Sequence, residues 1–122
     1  GQADYLTPTA LPMPMFLKDG GQYVGGHGLH HLDWSVPKAE MGYWCRKRWH
    51  GQGLVTEAAR AVAELALHTL GMRRLVCHSD AENLPSRRVA ERSGFVLEGV
   101  MRHERFDPDG TPRDTCLYAR VR

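Results

Sequence analysis

Near its middle the chain changes period, and two glycines mark the change. The stretch RKRWHGQGLVTEAAR, Arg46 to Arg60, places Gly51 and Gly53 directly before a run of good helix formers. From there Val55, Ala58, Ala59, Val62, Leu65, Ala66 and Leu70 recur at helical spacing, with Glu57, Arg60, Glu64 and His68 as the opposite polar stripe. Arg60 and Glu64 are spaced to pair, and Gly71 stands where a left-handed C-cap belongs. A glycine pair against a helix start is either a stop between two elements or an anion site. The first turn of a helix offers unpaired N–H groups and a partial positive charge. Gly51, Gln52, Gly53, Leu54, Val55 and Thr56 can aim several N–H groups at one point. The stretch is not a P-loop, because no Gly-Lys-Ser/Thr follows, and it lacks the third glycine of a dinucleotide fingerprint.

The flanks read as strands. Residues 1–14 carry three prolines and no sustained period, so they read as irregular. MFLK, DGG and QYVGG follow as strand, turn and strand, and HGLHHLDW continues the extended character. Glu40 to Cys45 forms the core of a third strand. After the long helix come a strand, RRLVCHS, and a short helix, NLPSRRVAERSG, with Asn83 as cap, Pro85 in the first turn and Gly94 as stop. Two long strands, FVLEGVMRHERF and RDTCLYARVR, are joined by the turn DPDGTP. The order β-β-β, helix, β, helix, β-β predicts one α/β (α+β) domain over residues 1–122, a mixed central sheet flanked by helices.

Composition narrows the class. Hydrophobic residues make up 42% and charged residues 25%, as in ordinary globular proteins. No apolar run can span a bilayer, so no membrane partner is expected. The formal charge of +2 is too weak to argue for nucleic acid, and the basic run Arg87 to Arg92 has no interleaved stacking aromatics. Cys45, Cys77 and Cys116 are odd in number and lie far apart, each in a strand-like segment. That pattern predicts buried free thiols in a reducing, cytoplasmic setting. His27, His30 and His31 invite a metal, but no acidic or cysteine cluster completes a site at ligand spacing. Trp34, Trp44 and Trp49 read as core and cleft-lining residues, with Trp49 also placed to stack on a base. Asn83 and Ser86 are three apart at a helix start. Capping alone accounts for both, and facing the glycine loop's cleft is the functional alternative.

GYW, HGQGLVTEAARA, NLPSRRVAERSGF, LEGVMR and the closing D…LYAR occur in that order. Together they resemble the GNAT superfamily of acetyl-coenzyme A-dependent N-acetyltransferases, and within it the RimJ/RimL type that acetylates ribosomal-protein N-termini. The resemblance runs from about Phe16 to the C-terminus. It implies acetyl-coenzyme A as co-substrate and a peptide N-terminus or small amine as acceptor. Aligned through TEA, Gly53 matches the central glycine of the family loop. His50 stands where Gln or Arg is usual, and Val55 where Gly or Ala is usual. Arg48-x-x-Gly51-x-Gly53 also fits, one step out of register. The resemblance implies that His50 and the amides from Gly51 to Thr56 (Gly51, Gln52, Gly53, Leu54, Val55, Thr56) hold the coenzyme A pyrophosphate. It implies that Met41 to Cys45 pair with the pantetheine arm, with main-chain N–H groups around Trp44 and Cys45 near the oxyanion. Asn83 matches the residue that bonds the pantetheine, and Ser86 the residue that protonates the leaving thiolate. The base is open among Glu104 and water relayed through His103 or Glu98. Alternation puts Glu98, Arg102 and Glu104 on one strand face, where a solvated surface is an equal reading. If the acid is not Ser86, water or Tyr118 takes its place. Relatives carry an N-terminal strand and one or two helices that wall the acceptor groove. Residues 1–15 are too short for these, so they are trimmed, disordered or supplied by a partner, and a homodimer stays open. A coenzyme A-binding module of the same fold without catalysis is the competing reading, motivated by His50, Val55 and the unassigned base.

Overall fold

A computed structural model describes residues 10–18, 20–45 and 53–122, apart from the Cys45 side chain. Among these residues six strands form one sheet: β1 (Leu11–Phe16), β2 (Tyr23–Asp33), β3 (Lys38–Cys45), β4 (Arg74–Asp80), β5 (Val96–Phe106) and β6 (Pro112–Val121). Their order across the sheet is β1-β2-β3-β4-β6-β5. Only the β3–β4 pairing is parallel. It follows the crossover through helix α1 (Leu54–Glu64), as parallel neighbours require. Helix α2 (Leu84–Arg92) connects β4 to β5.

Alternation gives the sheet two unlike faces. One carries Leu29, Met41, Leu75, Cys77, Cys116 and Tyr118 and packs against Ala59, Val62, Ala63, Ala66 and Leu67 of the first helical segment and Ala90 of α2. Both helices therefore cover this face, and the core lies between. Among the described residues no helix covers the other face, where Glu40, Trp44 and His78 stand.

Four departures from the sequence reading have physical causes. β1 begins at Leu11, inside the segment expected to be irregular. Among the described strands it lies at the sheet's end, and Pro12 and Pro14 fall on its exposed positions while Leu11, Met13 and Met15 are half-buried. Two residues apart, the prolines lack N–H groups on the same side, which an outer edge tolerates. Second, α1 runs on into a π-helical turn, Leu65–Thr69, where the Leu70 N–H donates to the Leu65 carbonyl at 2.9 Å. The buried stripe accordingly runs through Ala63 and Leu67, and Leu65, expected inside, is 38% exposed. Third, Arg60 donates to the Arg92 carbonyl at 2.7 Å, and Glu64 meets Arg120 and His68 instead of Arg60. Fourth, Trp44 is 52% exposed and lies across Gly26, where a Cβ would come within 2.9 Å of its Nε1. It is a cover for the open face and not a core residue. Trp34 is exposed as well, and Trp49 lies outside the described residues.

The expected turns are present. Gly71 and Gly94 end the helical segments at φ 78° and 89°, and Gly110 at φ 86° closes the turn after β5. β5 is less regular than alternation assumes. Its register with β6 shifts between Leu97 and Gly99 and between Met101 and Arg105. The second shift contains His103 at φ 50°, whose N–H donates to Asp114 at 2.9 Å. Glu98, Arg102 and Glu104 therefore do not form one regular row.

Candidate functional site

β3 and β4 share three rungs, Lys38 with Arg74, Ala39 with Leu75 and Glu40 with Val76. Beyond Glu40 the strands part. From Met41 to Cys45, β3 pairs only with β2, so its other backbone edge faces the gap. Side chains from both strands, and from the start of α2, gather there.

On the helix-covered side, the Tyr43 hydroxyl donates to the Ser86 carbonyl at 2.8 Å and lies 3.4 Å from Ser86 Oγ. Ser86 Oγ lies 2.9 Å from Ser79 Oγ. Three hydroxyls, one each from β3, β4 and α2, thus form a chain across the gap. Burial raises the Tyr43 phenol above its usual range, and its bond to Ser86 opposes the shift. Asn83 Oδ1 accepts from the Ser86 N–H at 3.2 Å, so the Asn83–Ser86 spacing does cap α2. The cap also holds Ser86 in the hydroxyl chain. Tyr118, the alternative acid, receives Arg87 Nε at 3.0 Å and donates to Glu91 at 3.1 Å. It serves packing under α2, and Tyr43 is the phenol that reaches Ser86.

Gly53 caps α1 at φ 73°, a left-handed conformation that glycine adopts without strain. Among the described residues no side chain caps this helix, which leaves the first-turn N–H groups of Leu54, Val55 and Thr56 without a side-chain partner there. His50, Gly51 and Gln52 lie outside the described residues, as does the Cys45 side chain. Beneath the same turn sits His27, 5% exposed, with its ring 5.8 Å from that of Tyr43. Neither ring nitrogen has a hydrogen-bond partner among the described residues. Burial pushes its imidazole below the ordinary 6.5. The Val55 backbone opposes this shift.

The expected base candidates are spread out. Glu104 accepts from Thr115 Oγ1 at 2.9 Å in the second bulge of β5, the far edge of the sheet. Glu98 is held by Arg74 through two bonds of 3.0 and 2.6 Å. Sequence reasoning missed Tyr43, Ser79, Glu40 and His78. The GYW motif contained the first, but the others become visible only when β3 and β4 are side by side.

Residues 4–96 match the acetyltransferase (GNAT) domain family. The chain belongs to the GNAT acetyltransferase family. It is 39% identical over 99 residues, 81% of this chain and 54% of the relative, to the putative ribosomal N-acetyltransferase YdaF of Bacillus subtilis (strain 168). It is 36% identical over 100 residues, 82% and 55% of the two chains, to the ribosomal-protein-serine acetyltransferase of Escherichia coli (strain K12). The chain thus spans about half the length of these curated relatives. The microcin C7 self-immunity acetyltransferase MccE, solved with acetyl-CoA and AMP, superposes with a TM-score of 0.82 at 27% identity over 98% of this chain and 65% of that one. The six-stranded GNAT sheet with its two helices accords with the fold read from the sequence. Among the described residues no helix is long and apolar enough to cross a membrane.

Proposed function

We propose that this GNAT domain transfers an acetyl group from acetyl-coenzyme A to a primary amine, a protein N-terminus or similar amine, by direct attack on the thioester. The observation that carries the reading is the gap where β3 leaves β4, bridged by the Tyr43, Ser86 and Ser79 hydroxyls and adjoining the uncapped start of α1. A pyrophosphate suits the N–H groups of Gly53 to Thr56, with His50, Gly51 and Gln52 completing the loop. An extended pantetheine suits the free edge of Met41 to Cys45, with Trp44 and Cys45 main-chain groups and the Asn83 amide alongside. Ser86 Oγ, within the hydroxyl chain, gives its proton to the departing thiolate in this reading and recovers one through Ser79 or Tyr43. The acceptor class follows the two ribosomal N-acetyltransferase relatives. Calorimetry with acetyl-coenzyme A, followed by a thiol-release assay on a peptide with a free N-terminal serine, tests it. Micromolar binding with release of thiol is expected. Tight binding with no release on any amine would favour the binding-module alternative.

A further inference from the structure

The hydroxyl chain occupies one side of the gap. The other side, the face without helices, holds a second polar group at the last shared rung. His78 Nδ1 lies 2.9 Å from Glu40 Oε1, and His31 Nε2 lies 3.6 Å from Glu40 Oε2. Glu40 is the last β3 residue paired to β4, and His78 is the second β4 residue past that rung. His31 is brought in by a bulge of β2 between His30 and Asp33, where it adopts φ 51°. Such bulges re-aim a side chain at the expense of the ladder.

We infer that His78 is the general base that takes the proton from the acceptor ammonium, and that Glu40 is its positioning residue. The inference rests on the acetyl-transfer reading above. An ionised carboxylate only accepts hydrogen bonds, so the Glu40 contact fixes the proton on His78 Nδ1 and leaves the Nε2 lone pair exposed. Nε2 has no partner among the described residues, and the side chain is 38% exposed. An amine that reaches the gap from this face meets Nε2, while the thiolate leaves on the Ser86 side. One proton passes from the ammonium to Nε2. The nitrogen lone pair forms the C–N bond as the C–S bond breaks. The sulfur takes a proton from Ser86 Oγ, the second nitrogen proton is relayed through solvent to restore Ser86, and His78 then releases its proton to solvent. The net products are amide, thiol and one proton. Three other acidic groups of the sheet are otherwise engaged. Glu98 is paired with Arg74, Asp80 with Arg105 and Arg113, and Glu104 receives Thr115 two strands away.

The test compares wild type, His78→Ala, Glu40→Gln and Glu104→Gln with acetyl-coenzyme A and the N-terminal serine peptide. His78→Ala should lower kcat by about a hundredfold or more, leave acetyl-coenzyme A affinity unchanged, and recover turnover when imidazole is added. Glu40→Gln should lower kcat less than His78→Ala does. Independently of activity, histidine 15N spectra of the wild type should show His78 protonated on Nδ1. Wild-type turnover that His78→Ala retains, a loss that follows Glu104→Gln instead, or His78 protonated on Nε2 would each overturn the assignment alone. A wild type that binds acetyl-coenzyme A and acetylates no amine overturns the assignment together with the transfer reading.

Discussion

Ser79 and Ser86 face each other at 2.9 Å, one at the gap edge of β4 and the other in the first turn of α2. The contact couples the opening of a helix to the place where two parallel strands separate. Ser86 therefore has two separable roles, which its own backbone and side chain divide. The N–H belongs to the Asn83 cap and the Oγ to the hydroxyl chain.

Ser86→Ala keeps the backbone N–H and with it the cap. The variant should melt close to wild type, within about 1 kcal/mol, the typical worth of one hydrogen bond. If Oγ protonates the thiolate, kcat should fall about a hundredfold while acetyl-coenzyme A affinity holds. Asn83→Ala should lose about 1 kcal/mol of stability from the missing cap and also weaken acetyl-coenzyme A binding. Thermal melts and steady-state rates on the same preparations check both. An unchanged kcat in Ser86→Ala would move the acid to Tyr43 or water.

Gly53 offers a cleaner probe of the α1 start. Among the described residues a Cβ there meets nothing within 4 Å, although φ is 73°. Gly53→Asn and Gly53→Asp thus pay a similar conformational cost of about 1 kcal/mol, since both residues tolerate the left-handed region better than most. The aspartate also places a negative charge where helix dipoles welcome one, so its fold should be no worse than the asparagine's. Anion binding should distinguish them. Acetyl-coenzyme A affinity in Gly53→Asp should drop tenfold or more, about 1.4 kcal/mol, below that of Gly53→Asn. Equal affinities by calorimetry would remove the pyrophosphate from this turn.

What could be read in the sequence was local. The period switch at Gly53, the Asn83 cap, the stops at Gly71 and Gly94 and the DPDGTP turn depend on neighbours within a few residues, and each is present. What could not be read depends on partners far along the chain. Pro12 and Pro14 read as breakers until the pairing of β1 with β2 places them on its exposed positions. Glu104 and Glu98 looked aligned because alternation cannot foresee two bulges in β5. Glu40 and His78 are 38 residues apart, and Tyr43 and Ser86 are 43 apart. Only the β3–β4 register puts them on opposite sides of one gap.

Direct transfer also predicts inert cysteines. Cys77 and Cys116 are free and buried, and burial with the Glu40 charge pushes the Cys77 thiol up to about 12. At neutral pH almost no Cys77 thiolate is available to attack a thioester. Peptide mapping after incubation with acetyl-coenzyme A should show both residues unmodified, and iodoacetamide should label them only in denaturant. A stable acetyl group on Cys77 would contradict direct transfer.

The ion-pair network at the end of β4 predicts a defined acid sensitivity. Arg113 reaches Asp80 at 2.9 and 2.7 Å, Arg105 at 2.6 Å, and the Glu82 N–H donates at 2.8 Å. The Arg113 bonds lead in holding the Asp80 carboxyl down at about 2, against an ordinary 3.8. A lowered folded value means that the native state favours the charged form. The stabilisation is complete above the unfolded value near 4 and is lost as pH falls through 2. The arginines are partly in water, with Arg105 46% exposed, so screening reduces the contribution to about 1–2 kcal/mol. Glu64 beside Arg120 and Glu98 beside Arg74 are also held low, by their arginine hydrogen bonds first, and both remain in Asp80→Asn. The difference between wild type and Asp80→Asn therefore isolates Asp80. Urea unfolding at intervals from pH 7 to pH 2 should show wild type more stable by about 1–2 kcal/mol above pH 4, with the gap closing toward pH 2. Parallel curves down to pH 2 would mean that the Asp80 carboxylate is not held by these arginines in solution.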